Sequence, residues 1–453
     1  MTENPPHKKS EIRLDRLRRA LESGRLRRLE RLLHALHPAE IALLIESLPQ
    51  TERDIVWGLV DPEDHGEVLL HVNDEVRANL IQEMDDDMLL AATEGLEMDD
   101  LADLVADLPE QVTQEVLRSM DLENRQRLES VLSYPEDTAG GLMNTDPVTV
   151  RPDVNIDVVQ RYLRLRGRLP EHTDSLFVVD RYGRYMGVLA LQHLLTMDPD
   201  LTIAEVMDTQ YKPLDVTLSA RGVAKRFEDR DLLSAPVVNS ERLLLGRITI
   251  DDVVDVIRDE AEHELLSRVG LDEEEDLFAP VRISARRRAV WLGINLLTAF
   301  LAAEVVGLFQ NTIHAMVALA VLMPIVPSMG GIAGSQTITL MIRGLALGQI
   351  GTGNSRALLA KEIAVSLING VAWALVVGAV AYMWFDNAPV ALIMGAAMVI
   401  NLLNAALTGW GLPLLMRRVG IDPALAGSVV LTTFTDVIGF SAFLGLATLF
   451  LTH

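Results

Sequence analysis

The chain has 453 residues, 49% of them apolar and 23% charged, with 40 Lys and Arg against 64 Asp and Glu for a net charge of −24. That balance excludes a nucleic-acid binder, which needs a basic footprint. The absence of Cys excludes disulfides, Cys-ligated metal centres and thiol nucleophiles.

The polar opening MTENPPHKKS is not followed by an apolar run, so no secretory signal is expected and the N-terminus is placed in the cytoplasm. Residues 1–137 are expected to be all-helical. The stretch LDRLRRALESGRLRRLERLLHAL has apolar residues near the 3.6 period with a basic opposite face. Later segments, such as DDLADLVADLP and ENRQRLESVLSYP, are short helices with acidic starts and Pro punctuation. A small helical stack or superhelix follows from such short units.

The rhythm changes after residue 138. SLFVVD-RYG-RYMGVLAL reads as strand, turn, strand, and APVVNSERLLLGRITI repeats the order; a helical segment follows each. GLMNTDPVTV and AEVMDTQYKPLDVTL open two copies, assigned to 138–203 and 204–258. Two α/β copies of this size resemble a tandem pair of cystathionine-β-synthase-type (CBS) modules. In nucleotide-binding modules of that kind, the spacing Gly246-x-x-Thr249-x-x-Asp252 places a hydroxyl near phosphate and a carboxylate near ribose. Thr249 and Asp252 are therefore the nucleotide candidates, with ATP as the cofactor. The first copy has Gly187, Ala190 and His193 at the same positions and lacks both groups.

A connecting helix and linker are expected over 252–280, and a membrane domain over 289–453. Residues 289–453 hold five basic and five acidic side chains, so the whole −24 lies in 1–288; residues 1–40 carry +4, which leaves −28 on 41–288. A helix needs about 20 mainly apolar residues to cross a bilayer. Five spans satisfy this, at roughly 289–309, 313–341, 357–385, 389–416 and 424–450. Arg286–Arg288, then Arg343, Arg356 and Lys361, then Arg417 and Arg418 all fall on the side of the N-terminus, which leaves the C-terminus outside.

Asp436 lies in the middle of the fifth span, in LTTFTDVIGFSAF. An ionised carboxylate there is costly unless hydrated or paired. Ser428, Thr432 and Asp436 follow i, i+4, i+8 on one helix face. The two readings are a buried protonated carboxyl and a cation site on a wet pathway. No His or Cys stands nearby, so the oxygen set suits a hard cation such as magnesium, calcium or manganese. In the second span, MPIVPSMGGIAGSQTITLMI, crowded Pro and Gly (Gly330, Gly331, Gly334) predict either a kink packed on a neighbour or broken backbone lining a pathway with Gln336. Asn401 and Asn404 in the fourth span pose the same choice between helix–helix hydrogen bonding and pore lining.

Acidic stretches at Asp85–Asp87, Glu97–Asp107 and Asp251–Glu264 read either as solvated faces or, since the excess is large, as surfaces that divalent cations could bridge. An enzyme is not expected, since no nucleophile–base set or phosphate loop is present. Beside ion permeation stand two alternatives: a proton-coupled secondary transporter with Asp436 as proton carrier, and a membrane-anchored magnesium or nucleotide sensor without transport.

The order of acidic helical domain, PEDTAGGLM, CBS pair, acidic connecting helix, MGGIAGSQ with IRGLALGQI, and the Asp436 segment resembles the MgtE family of magnesium channels over nearly the whole chain. The resemblance implies a homodimer in a bacterial inner membrane, importing Mg2+ down its gradient through a pore on the two-fold axis, lined by the second and fifth spans. It implies hydrated Mg2+ at Asp436 with Thr432, and a connecting helix that plugs the cytoplasmic mouth. It also implies regulatory Mg2+ at Asp99, Asp103, Asp231, Asp252, Asp255, Glu260 and Glu264 that holds the channel shut. The sequence departs from the family pattern at Ile332, His263, Ser219 and Arg221.

Overall fold

The structure is a computed structural model that describes residues 26–267, 271, 276–346, 349–351, 353–421 and 423–451. The chain divides into two compact units, one of residues up to Ala261 together with 274–279, the other of 262–273 and 280 onward.

The first unit begins with short helices, from Leu26–Leu33 and Pro38–Glu46 to Met98–Asp107, Glu110–Ser119 and Leu122–Val131. Their starts follow from local chemistry. Asn73, Asp85 and Asp121 each accept a hydrogen bond from a first-turn backbone N–H. Acidic first turns then complement the helix dipole. Each helix is too short to be stable alone. Stability comes from a shared core that includes Ile45, Leu69, Leu80 and Leu104. That core runs on into Val216, Phe227, Val237 and Ile248, so the helical domain and the second α/β copy have one continuous interior.

The two α/β copies are built alike. In the first, β1 (Thr149–Val150) pairs in parallel with β2 (Ser175–Val179), which pairs antiparallel with β3 (Tyr185–Ala190). In the second, β4 (Leu214–Asp215), β5 (Ser234–Val238) and β6 (Leu244–Thr249) repeat the order, with a bulge at the equivalent place. Glycine is required at one position per copy. A Cβ on Gly187 would lie 2.6 Å from the Asp208 carbonyl, and one on Gly246 would lie 2.5 Å from that of Asn144. Those carbonyls belong to the segments that open the copies, so each glycine lets the opening segment of the other copy lie against its sheet. A single helix, Ile250–Leu266, leaves β6.

The second unit contains, among the described residues, five helices long and apolar enough to cross a membrane: Val281–Gly307, Ala318–Ala346, Ser355–Phe385, Ala388–Val419 and Gly427–Leu451. The first begins well before the apolar stretch and includes Arg286–Arg288. The fourth is the central element, packed on the second, third and fifth. The loop between the third and fourth is tight: Asp386 adopts the left-handed conformation that ends one helix, and Asn387 caps the next through Val390 N–H.

The break in the second span lies at Met323–Pro324, not in the glycine cluster. From Ile325 to Ala346 the helix is continuous through Gly330, Gly331 and Gly334. Pro327 is accommodated because it falls in the first turn, where its missing N–H breaks no ladder bond. The three glycines have different surroundings. A Cβ on Gly330 would come within 2.2 Å of Asn401 Nδ2, and one on Gly334 within 2.8 Å of Leu431, whereas one on Gly331 would meet nothing closer than 3.9 Å. Gly330→Val should therefore destabilise the membrane unit by about 1–3 kcal/mol through overpacking, and Gly331→Ala should leave its melting temperature in detergent nearly unchanged. Equal melting of the two variants would contradict this packing.

Candidate functional site

Two acidic sites are set apart from the rest, a single carboxylate in the membrane unit and a cluster in the first unit. In the membrane unit, the helices Ile325–Ala346 and Pro423–Leu451 line an open groove of roughly 860 Å³. Its walls include Ser328, Gly331, Ile332, Ser335, Gln336, Thr339, Thr432 and Asp436. Ser328, Ile332, Ser335 and Thr339 follow helical spacing, so one face of the second span is turned to the groove. The hydroxyl of Thr432 donates within its own helix to the Ser428 carbonyl at 2.7 Å, which leaves its oxygen lone pairs outward. Among the described residues, no hydrogen-bond donor and no basic side chain meets the half-buried Asp436 carboxylate.

The sequence-predicted pore residues divide accordingly. Gly331, Gln336, Thr432 and Asp436 line one groove. Gly330, Gly334 and Asn401 lie in helix contacts behind it. Asn401, wholly buried, donates to the Val326 carbonyl at 2.8 Å. Asn404 reaches the Phe434 carbonyl at 3.5 Å, and Ser428 is half-buried outside the groove walls. Ser328, Ser335 and Thr339 were not singled out from sequence. Their signal was hydroxyls at helical spacing on the span that carries Gln336.

In the first unit, the helix Met98–Asp107 meets the start of Ile250–Leu266 and the loop before the first α/β copy. Asp99 is 8% exposed and accepts from its neighbour Asp100 N–H at 3.1 Å. Burial pushes its carboxyl well above the ordinary range, and Asp252 and Asp100 push it further. Asp252 is raised to about 7 by burial and by Asp251, against two 3.1 Å hydrogen bonds from the Thr249 N–H and hydroxyl. Asp100 is raised to about 6 by burial and by Glu97, Asp251, Glu67 and Asp255. Glu97, raised by burial and by Asp146, accepts from Asn144 Nδ2 at 2.6 Å. Among the described residues, no three His, Asp or Glu side chains are already arranged as a metal cage. The chemistry is that of carboxylates crowded without enough counter-charge, which favours protons or a multivalent cation.

The remaining predicted regulatory residues are more dispersed. Asp103, on the same helix, is raised to about 7 by burial and by Asp100 and Glu136, against Arg77, although its outer side is exposed. It lies beside Asp107, which Arg77 Nε meets at 2.6 Å. Asp231 ends the helix Ala220–Arg230 in the left-handed conformation, with its side chain exposed. Asp255 lies 3.1 Å from Arg258. Glu260 is bonded by Arg221, with Nε at 3.0 Å and a second contact from Nη2. The side chain of Glu264 lies outside the described residues. Ser219 caps the helix that carries Arg221, accepting from Gly222 N–H at 3.3 Å. Thr249 is buried, with its hydroxyl held by Asp251 and Asp252. A phosphate drawn to Thr249 would compete with that cap. Glu67, Asp100 and Asp251 joined the cluster without being predicted as site residues, although Asp100 and Asp251 lie in the acidic stretches that the sequence marks.

Comparison with known proteins gives the same layout. The profile of the MgtE intracellular N domain matches residues 36–137, that of the CBS domain matches 139–200 and 203–259, and that of the MgtE divalent cation transporter matches 323–446. The magnesium transporter MgtE of Thermus thermophilus is 32% identical over 96% of this chain and 98% of its own length. That of Bacillus subtilis is 23% identical over 95% and 96%. Among solved structures, the cytosolic domain of the Mg2+ channel MgtE in complex with ATP is 33% identical, covering 53% of this chain and 98% of its own, with a TM-score of 0.48.

The raised carboxylates set a pH dependence. Folded, Asp100 and Asp252 bind protons up to about 6 and about 7, whereas unfolded they release them near 3.8. The native state therefore holds more protons between these limits, and stability is lost as pH rises from about 4 through about 7. In divalent-free solution the full-length protein should unfold its cytosolic region at a lower temperature at pH 7.5 than at pH 5.5. The difference should be on the order of 2 kcal/mol and smaller in Asp252→Asn. A cytosolic transition independent of pH would show that these carboxylates are not crowded in solution.

Proposed function

The chain belongs to the MgtE family of divalent cation transporters, and we propose that it is a magnesium channel that admits Mg2+ down its electrochemical gradient and closes when internal Mg2+ binds its acidic cytosolic domains. One observation carries the reading: an unpartnered carboxylate, Asp436, in a membrane groove shared with Thr432, Gln336 and the bare backbone of Gly331.

Such a groove is a poor surface to present to lipid. A second copy of the chain, related by a two-fold axis, would cover it with the same groove and bring two Asp436 carboxylates to one pathway. Two negative charges in a medium of low dielectric attract a divalent ion more strongly than a monovalent one. Mg2+ gives up its waters reluctantly. The hydroxyls of Thr432, Ser335 and Thr339 and the amide of Gln336 are suited to hold a hydrated ion rather than a bare one. Gly331 keeps the second and fifth spans clear of side chain at the level of Thr432.

The cytosolic carboxylates supply the sensor in this reading. Asp99 and Asp252 come from the helical domain and from the helix that leaves the second CBS module. A divalent ion between them offsets the burial and the neighbouring carboxylates that raise both groups, so it binds the compact arrangement better than a separated one. Asp100 and Asp251 add charge to the same place. The helix Ile250–Leu266 is the element this equilibrium moves, and it acts as the plug. A near-complete switch needs about 5.5 kcal/mol of differential binding, which several such ions can supply together.

The test is Mg2+ flux into proteoliposomes with internal Mg2+ varied. Asp436→Ala should abolish flux. Asp99→Asn with Asp252→Asn should leave flux intact but raise the internal Mg2+ needed to suppress it by about tenfold. Flux that survives Asp436→Ala, or suppression unaltered in the double variant, would overturn the corresponding half of the reading.

A further inference from the structure

The first unit contains a fully buried ion pair that the cation chemistry above does not use. Arg53, on the helix Gln50–Trp57, is 1% exposed, and Asp276 is 4% exposed. Their side chains meet in a two-pronged contact, Nη2 to Oδ1 at 3.0 Å and Nη1 to Oδ2 at 2.9 Å. The rest of the guanidinium is satisfied by the helical domain, with Nε donating to the Ile45 carbonyl at 3.2 Å and Nη2 to that of Leu48 at 3.3 Å. The Asp276 backbone is held as well, since its N–H donates to Glu75 Oε2 at 3.0 Å. The same carboxylate accepts from Phe278 N–H at 2.9 Å, which shapes the turn before the next helix.

Asp276 is far along the chain from Arg53, beyond the helix Ile250–Leu266 and shortly before Val281, where the first membrane-spanning helix begins. A planar fork of this kind is geometrically demanding. Once buried, breaking it strands a charge and costs several kcal/mol. It contains no group that a divalent cation must neutralise, because the guanidinium already does so.

We infer that Arg53 and Asp276 form a magnesium-independent tether that fixes the linker entering the membrane to the helical domain. The linker stays on the helical domain whether or not the carboxylates around Asp99 and Asp252 hold cations. Rearrangement of the helical domain on cation loss is thus passed directly to the start of the first span, in addition to the route through the plug helix. Arg53 and Asp276 are positioning residues in this scheme. The tether stands on geometry alone, while its role in gating rests on the channel reading above.

The chain has no Cys, so Glu52→Cys and Leu277→Cys place two spin labels beside the clamp without altering it. Leu277 is 92% exposed, and its replacement is not disruptive. In the full-length protein, pulsed electron paramagnetic resonance should give the same narrow distance distribution in millimolar Mg2+ and after chelation. A distribution that broadens on chelation would overturn the inference. Adding Asp276→Asn should broaden it in both conditions and shift the internal Mg2+ for half-suppression of flux about fivefold or more, with maximal flux unchanged. A narrow distribution with an unshifted midpoint in that variant would also overturn it. If the variant does not fold, the chelation comparison on the intact clamp still decides. If no flux is seen in any form, the channel reading fails while the distance measurement still judges the tether.

Discussion

The constraint on which the rest of this structure depends is the burial of negative charge without a matching number of fixed positive charges. Residues 41–288 carry −28, and the fold does not disperse that charge evenly over its surface. It draws Asp99, Asp100 and Asp252 into a region where burial and mutual repulsion raise them toward neutrality. In the membrane unit, Asp436 is a half-buried carboxylate that, among the described residues, no hydrogen-bond donor and no basic side chain meets. A carboxylate so placed must take a proton, a partner or a cation. Arrangements of this kind are costly as scaffolding, which is what motivates the proposal that they bind ions.

The chain answers the constraint in two ways. Some carboxylates have a resident cation. Arg53 neutralises Asp276, Arg221 holds Glu260, and Arg258 lies 3.1 Å from Asp255 and 3.2 Å from Asp259. Others lie among further carboxylates with only hydroxyl, amide or imidazole contacts beside them: Thr249 on Asp252, Asn144 on Glu97, and His172 at 3.4 Å from Asp251. The division falls along the helix Ile250–Leu266: its beginning, at Asp251 and Asp252, is the uncompensated part, and the segment from Asp255 to Glu260 is largely satisfied by arginine. Demand for a mobile cation is thus concentrated where that helix leaves the second CBS module and meets the helical domain. The arginine at position 221 gives Glu260 a partner on the exposed side of the helix, which lowers its need for a divalent ion.

Much of this was legible in the sequence because it depends on local periodicity and composition. The five spans follow from long apolar runs, and the paired α/β modules follow from a repeated strand–turn–strand pattern whose Gly187 and Gly246 turn out to serve close backbone approach. Asp436 stood out because nothing else charged lies so deep. What was not legible depends on contacts distant in sequence. The prolines and glycines in the second span left open a kink packed on a neighbour or broken backbone along a pathway; the helix breaks at Met323–Pro324 and then runs unbroken through the glycines, of which Gly330 and Gly334 serve close helix packing. Asn401 reads as a polar group of either role until its amide is found on the Val326 carbonyl. Acidic runs gave the charge but not the selection: of the predicted regulatory residues Asp99, Asp103 and Asp252 are raised by burial and neighbouring carboxylates, while Asp231 is exposed at a helix end. The Arg53–Asp276 pair has no sequence signature, since its members are joined only by the fold.

The most direct measurement of the central claim is the number of protons released when Mg2+ binds, obtained by titration calorimetry of the full-length protein in buffers of different ionisation enthalpy near pH 7. Crowded carboxylates raised to about 6 and about 7 are partly protonated there and must give up those protons to a bound cation. The account predicts proton release on Mg2+ binding that grows as pH is lowered toward 6 and is lost in Asp99→Asn with Asp252→Asn. Mg2+ binding with no proton release at any pH would mean that the cytosolic carboxylates are ordinary surface acids, and that the cation acts on the channel elsewhere.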